Sequence, residues 1–121
     1  TMTVYKSPYC GCCEKWIDIM KKEGFKIKTI DTNEVNDIKQ KAGLQAGQTS
    51  CHTAFVDGYI VEGHANYSAI KKMLQEKPDI LGISVPGMPI GSPGMEQDNI
   101  KQAYNIIYIN KDGTEGVYES H

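Results

Sequence analysis

The sequence predicts a mixed α/β fold: a β-α-β-α-β-β-α core, then a Pro/Gly/Met-rich loop and a C-terminal β-hairpin. Three observations predict it. Short β-rich runs alternate with amphipathic helical stretches up to Glu76. Asp57-Gly58 joins two of those runs, the strongest short hairpin signal a sequence carries. Cys10-Gly11-Cys12-Cys13 stands directly between the first strand and the first helix. With 121 residues the chain is read as one domain, 1–121.

The elements run in order along the chain. Met2–Lys6 alternates around Val4 and reads as a strand, and Ser7-Pro8-Tyr9 breaks it. A helix from Cys10 to Glu23 places Cys13, Trp16, Ile17 and Met20 at i, i+3, i+4 and i+7. Gly24 stops it. Phe25–Ile30 reads as the second strand, and Asp31 or Thr32 caps a short helix to Ala42, with Val35, Ile38 and Ala42 inward. After a polar loop come Thr53–Val56 and Tyr59–Glu62, then a helix from Asn66 to Glu76 with Ala69, Ile70, Met73 and Leu74 inward. Pro78 blocks its continuation. Pro86–Met95 is too rich in Pro and Gly for regular structure, and such loops commonly pack over a site. Asn105–Ile109, a Lys111-Asp112-Gly113 turn and Glu115–Glu119 form the closing hairpin.

Composition excludes several classes. The chain has 13 basic residues, all Lys, against 15 acids, for a net charge of -2. A nucleic-acid binder would need a basic face and usually Arg forks, so none is expected. No apolar run reaches the ~20 residues of a membrane helix. The N-terminus shows no basic region followed by an apolar stretch and a cleavage site, so the chain reads as cytosolic or as a mature exported form. Nothing demands more than a monomer.

Chemistry concentrates in the four cysteines, Cys10, Cys12, Cys13 and Cys51. Three within four residues cannot staple distant loops, so a redox or metal centre is the better reading. A strand, a short loop and Cys-x-x-Cys opening a helix form the thioredoxin-like context. There the helix dipole and unpaired N–H groups stabilise a thiolate. A plain oxidoreductase uses Cys10 and Cys13 and needs no Cys12.

Four thiolates can also hold one Zn(II). Cys12 and Cys13, however, are adjacent on a helix and diverge by about 100°, which suits bridging several ions better than chelating one. Soft thiolates and thioethers select Cu(I). Met88 and Met95 in the Pro/Gly loop add thioethers, and His52 and His64 add imidazoles. His64 has a competing reading as a helix cap or a solvated residue. His52 has one as a histidine satisfied by a carbonyl. Met20, Met73 and Trp16 are read as core.

In the thioredoxin and glutaredoxin superfamily a cis-proline before the central hairpin faces the Cys-x-x-Cys. A run like Val-Pro-x-x-Phe-Ile-Asp-Gly there resembles Cys51-His52-Thr53-Ala54-Phe55-Val56-Asp57-Gly58, with His52 at the proline. That resemblance implies that all four sulfurs converge. Four ordered blocks then carry a closer one: Val-Tyr-Lys-Ser-Pro-x-Cys-Gly-Cys-Cys at 4–13, Ser-Cys-His-Thr-Ala at 50–54, Gly-Tyr-Ile-Val-Glu-Gly-His at 58–64 and Val-Pro-Gly-Met-Pro-Ile-Gly-Ser-Pro-Gly-Met-Glu at 85–96. Together they resemble the CopG-type family of bacterial copper-resistance accessory proteins, long described as a domain of unknown function.

The resemblance implies a thioredoxin-like fold, several Cu(I) ions in a cysteine-thiolate cluster and a periplasmic setting beside other copper-resistance or copper-export proteins. It also suggests a copper-oxidoreductase role, although the ligand set points first to metal binding. Tyr9 stands where the motif commonly has Thr. The metal ligands expected on these grounds are Cys10, Cys12, Cys13, Cys51, His52, His64, Met88 and Met95. The alternatives are thiol–disulfide exchange at Cys10 and Cys13 and a single structural Zn(II).

Overall fold

In the computed structural model, which describes residues 2–87 and 102–121, period-two burial organises the first strand. Met2, Val4 and Lys6 of β1 (Met2–Lys6) point into the protein, while Thr3 and Tyr5 are half-buried on the other face. The chain continues through α1 (Gly11–Lys22), β2 (Ile27–Asp31), α2 (Val35–Lys41), a 3-10 turn (Ala46–Gln48), β3 (His52–Val56), β4 (Tyr59–Glu62) and α3 (Tyr67–Glu76). Beyond them lie β5 (Gly82–Ser84), β6 (Asn105–Ile109) and β7 (Glu115–Ser120). Among the described residues this makes a seven-stranded sheet ordered β2-β1-β3-β4-β5-β6-β7. β1 runs parallel to β2 and β4 parallel to β5, and the other neighbours are antiparallel.

Apolar periodicity sets the layers. Trp16, Ile17 and Met20 of α1 and Ala69, Ile70 and Met73 of α3 pack with Met2, Val4, Ala54, Val61, Ile83 and Ile106 in one core. Burying each large side chain there contributes about 1.5–3 kcal/mol. Ile60, Ile107 and Ile109 alternate to the opposite face and join Leu44, Ala42 and Phe55 in a smaller cluster. That is why α1 and α3 lie on one side and the end of α2 on the other.

Several element ends differ from the sequence reading for local reasons. The second strand starts at Ile27, not Phe25. The Phe25 N–H instead reaches Met20 O at 3.2 Å and the Gly24 N–H reaches Lys21 O at 3.1 Å, closing α1 with a Schellman motif. The second helix starts at Val35 with Glu34 as its N-cap, so neither Asp31 nor Thr32 caps it: Asp31 is spent on pairing β2 with Lys6, and Thr32 Oγ1 accepts the Glu34 N–H at 3.1 Å in the turn before the helix. Its fully buried inner residue beside Val35 is Lys39, while Ile38 is only half-buried.

The short β5 was not legible. Gly82 makes it possible, since a Cβ there would sit 2.0 Å from Ile60 O on β4. The Asp57-Gly58 hairpin, the α3 span and the C-terminal hairpin lie where the sequence predicts them. Asn66 caps α3 by accepting the Ala69 N–H at 2.8 Å.

Candidate metal centre

The centre is built by strand register. β1 and β3 pair antiparallel with Lys6 opposite His52, so the end of β1 and the start of β3 lie side by side. The chain leaving β1 enters α1 at Cys10, its N-cap residue, with Cys12 and Cys13 in the first turn. Cys51 immediately precedes β3. The four sulfurs therefore meet, all within 4.8 Å of one another. Cys13 is buried, and Cys10, Cys12 and Cys51 are partly exposed.

Cys10 and Cys13 are joined by a disulfide, with Cα atoms 5.4 Å apart, while Cys12 and Cys51 are free thiols. Cys10 Sγ lies 3.4 Å from Cys12 Sγ. A set of four thiolates thus requires two-electron reduction of this disulfide first.

Cys51 also belongs to a second group, with His52 and His64, whose ligand atoms again lie within 4.8 Å of one another. His52 Nδ1 is 3.2 Å and His64 Nε2 is 3.1 Å from Cys51 Sγ. Both imidazoles are buried, their ring centres 5.2 Å apart, and His52 packs on Trp16. His64 is therefore neither solvated nor the cap of α3. Its position is set by Gly63, at φ +73, where a Cβ would lie 2.6 Å from Val85 O and 2.7 Å from Ser50 Cβ. The next residue, Ala65, accepts the Trp16 indole N–H at 2.9 Å, which clamps the corner to α1.

Burial keeps Cys51 and His52 uncharged. Burial pushes the Cys51 thiol up to about 12, and the neighbouring Cys12 adds to the shift, against a smaller pull from Ser50 and Lys39. Burial, with His64 and Lys39 nearby, pulls His52 down to about 3, so its ring is neutral. A metal ion would have to displace the Cys51 proton, but none from His52.

Three functional neighbours were missed by sequence reasoning. Lys39 of α2 forms a buried ion pair with Glu62 of β4 and donates to Thr53 Oγ1 at 2.9 Å. Glu62 also accepts the Ser50 N–H at 2.9 Å, so this pair holds the turn that carries Cys51. Lys6 is buried beneath α1, bonded to Glu14 at 2.7 Å and Asp31 at 2.8 Å. Burial pushes its ammonium down, but the hydrogen bonds of Asp31 and Glu14 outweigh that and leave it raised. The signal for both lysines was their place on apolar faces, after Met2 and Val4 and one turn after Val35.

Met88 and Met95 lie outside the described residues. Gly87, just before Met88, is tied to the centre: its N–H donates to Thr49 O at 3.3 Å and its carbonyl accepts from the Ser50 hydroxyl. No described helix is long and apolar enough to cross a membrane.

Comparison with known proteins sharpens the assignment. Residues 48–95 match the model of a family described as a protein of unknown function, DUF411. Two solved structures, titled copper resistance protein CopG, forms 1 and 2, are each 36% identical with a TM-score of 0.94. They cover 99% of this chain and, for forms 1 and 2 respectively, 95% and 96% of their own. The chain belongs to the CopG-type family. The DUF411 match contains Cys51, His52 and His64 but not the cysteines of α1, whereas the CopG structures align with both halves of the centre. No curated protein sequence matches the chain.

Proposed function

We propose that this protein binds several Cu(I) ions through Cys10, Cys12, Cys13 and Cys51 in their reduced state. It would thereby serve copper resistance by sequestration, delivery or Cu(I)/Cu(II) conversion. The observation that carries this reading is the meeting of four sulfurs within 4.8 Å at one helix start. Thiolates are soft ligands that favour Cu(I) and can bridge several ions. The titles of the two CopG structures support copper as the ion.

The order β2-β1-β3-β4, with β3 antiparallel to β1, and the helices between these strands support reading the first seven elements as thioredoxin-like. In this reading His52 supports the sulfurs, which need protection because solvent-exposed thiolates are the ones that oxidise. The protein would act as a single-domain monomer in the periplasm and exchange copper with other copper-resistance or copper-export proteins.

The test is an anaerobic Cu(I) titration of the fully reduced protein, competed against a chelator and checked by metal analysis. Several Cu(I) per chain, with thiolate-to-copper absorption rising in step, is the expected result. One weakly held Cu(I), or preference for a single Zn(II), overturns it.

The Cys10–Cys13 disulfide favours one second reading, thiol–disulfide exchange at the start of α1. It requires disulfide reduction above the rate of free dithiol that survives Cys12→Ser.

A further inference from the structure

Among the described residues, Cys51 is the one sulfur shared by two donor sets of different chemistry. On one side are three sulfurs from the start of α1. On the other are two buried imidazoles, His52 Nδ1 at 3.2 Å and His64 Nε2 at 3.1 Å. A tetrahedral ion with bonds of about 2.0 Å to nitrogen and about 2.3 Å to sulfur needs about 3.5 Å between such donors. The observed spacings fall short by only a few tenths of an ångström, so small rotations of two side chains would admit an ion.

The corner is built rather than incidental. Gly63 turns the chain where no Cβ fits, and the Trp16–Ala65 hydrogen bond anchors the residue after His64. His52 Nε2 is buried and makes no hydrogen bond among the described residues, while Nδ1 of the same ring meets Cys51 Sγ.

The two sets respond differently to redox state. Closing Cys10–Cys13, as in this structure, takes two of the four sulfurs out of use and leaves Cys12 and Cys51. The imidazole side is untouched by that bond. Two imidazoles and one thiolate are a borderline ligand set, suited to a divalent ion rather than to Cu(I) alone.

We propose that Cys51, His52 and His64 form a mononuclear two-nitrogen, one-sulfur site for a divalent ion, available while Cys10 and Cys13 are disulfide-bonded. The choice of Cu(II) as that ion rests on the copper reading above, whereas the ligand set does not. The shared Cys51 makes the two sites alternatives: the reduced protein offers four sulfurs, and the disulfide form offers this site.

The test uses the full chain with Cys12→Ser, Cys10–Cys13 kept as the disulfide, so that Cys51 is its one thiol. Titration with Co(II), which does not oxidise thiols, should give one ion per chain with sulfur-to-metal charge transfer. Cu(II) should then compete for the same site, and pulsed EPR of that form should show two coupled imidazoles. This count needs no histidine variant and so stands even if one fails to fold.

His64→Asn should weaken Co(II) by at least the roughly 10–100-fold seen when outer-shell partners are lost. No binding, or a spectrum with one imidazole or none, overturns the proposal. The copper reading is tested separately, by Cu(I) titration of the reduced unsubstituted protein: failure of that titration overturns the copper reading, whereas the Co(II) result decides this one.

Discussion

The two sides of Cys51 are assembled in opposite ways. On the sulfur side, three of four donors come from one stretch, Cys10 to Cys13, and the helix start presents them together. On the imidazole side, His52 opens β3 and His64 lies two residues beyond the end of β4, and the two are brought together by antiparallel pairing and by the Gly63 corner. The first side depends on local conformation and the second on register. A sheet side chain is placed by its partners across the ladder, so one lost constraint displaces the whole group.

Cys51→Ser should break the comparison most completely, because that sulfur serves both sides. The reduced variant should lose most of its tightly held Cu(I) by metal analysis, and the disulfide form should lose its Co(II) charge transfer. Unchanged Cu(I) stoichiometry would remove Cys51 from the sulfur set.

Glu62→Leu comes next. It leaves Lys39 buried without its partner and frees the Ser50 N–H that holds the Cys51 turn. Breaking such a pair typically costs about 3–5 kcal/mol, readable from denaturant unfolding. The double change Lys39→Met with Glu62→Leu should recover much of that loss, since two charges no longer need desolvation. If the double variant were the less stable, the pair would be stabilising in its own right.

Gly63→Ala should sharpen the distinction. Its positive φ and the approach of Val85 O predict a loss of at least about 1–3 kcal/mol. It should also weaken Co(II) at the imidazole side more than Cu(I) at the sulfur side. Equal effects on both titrations would mean that the corner supports the fold alone.

The last effect emerges only when the pH is lowered. His52 is held neutral with its pKa near 3, well below the unfolded value of about 6.5. The unfolded chain therefore binds one more proton between those values, so the metal-free protein should lose stability as pH falls from about 6.5 toward 3. Stability against pH should be flatter in His52→Gln by up to one proton over that window. A curve identical to wild type would show that His52 is not buried neutral.

Much of the fold was legible because its signals are local. The α1 stripe of Cys13, Trp16, Ile17 and Met20, the Asp57-Gly58 turn and the Asn66 cap each act within a few residues. β5 was not legible, because three residues carry no period and its place depends on Gly82 meeting β4. Phe25 read as strand because alternation cannot register that its N–H already closes α1. Lys39 was overlooked because a charged side chain is expected outside, and its burial is made tolerable by Glu62 and Thr53, which come from other elements.

For the centre, the donor types and the crowding of three thiols at a helix start are written in the sequence. Helical geometry alone carries those residues to one place. The fold adds that strand register carries Cys51 into the set, where the resemblance had placed it, that His64 turns inward, that Lys6 and Lys39 lie beneath, and that Cys10 and Cys13 are closed. The first three rest on contacts between residues far apart in the chain. The last depends on the oxidation state of two sulfurs, which a one-dimensional pattern does not encode.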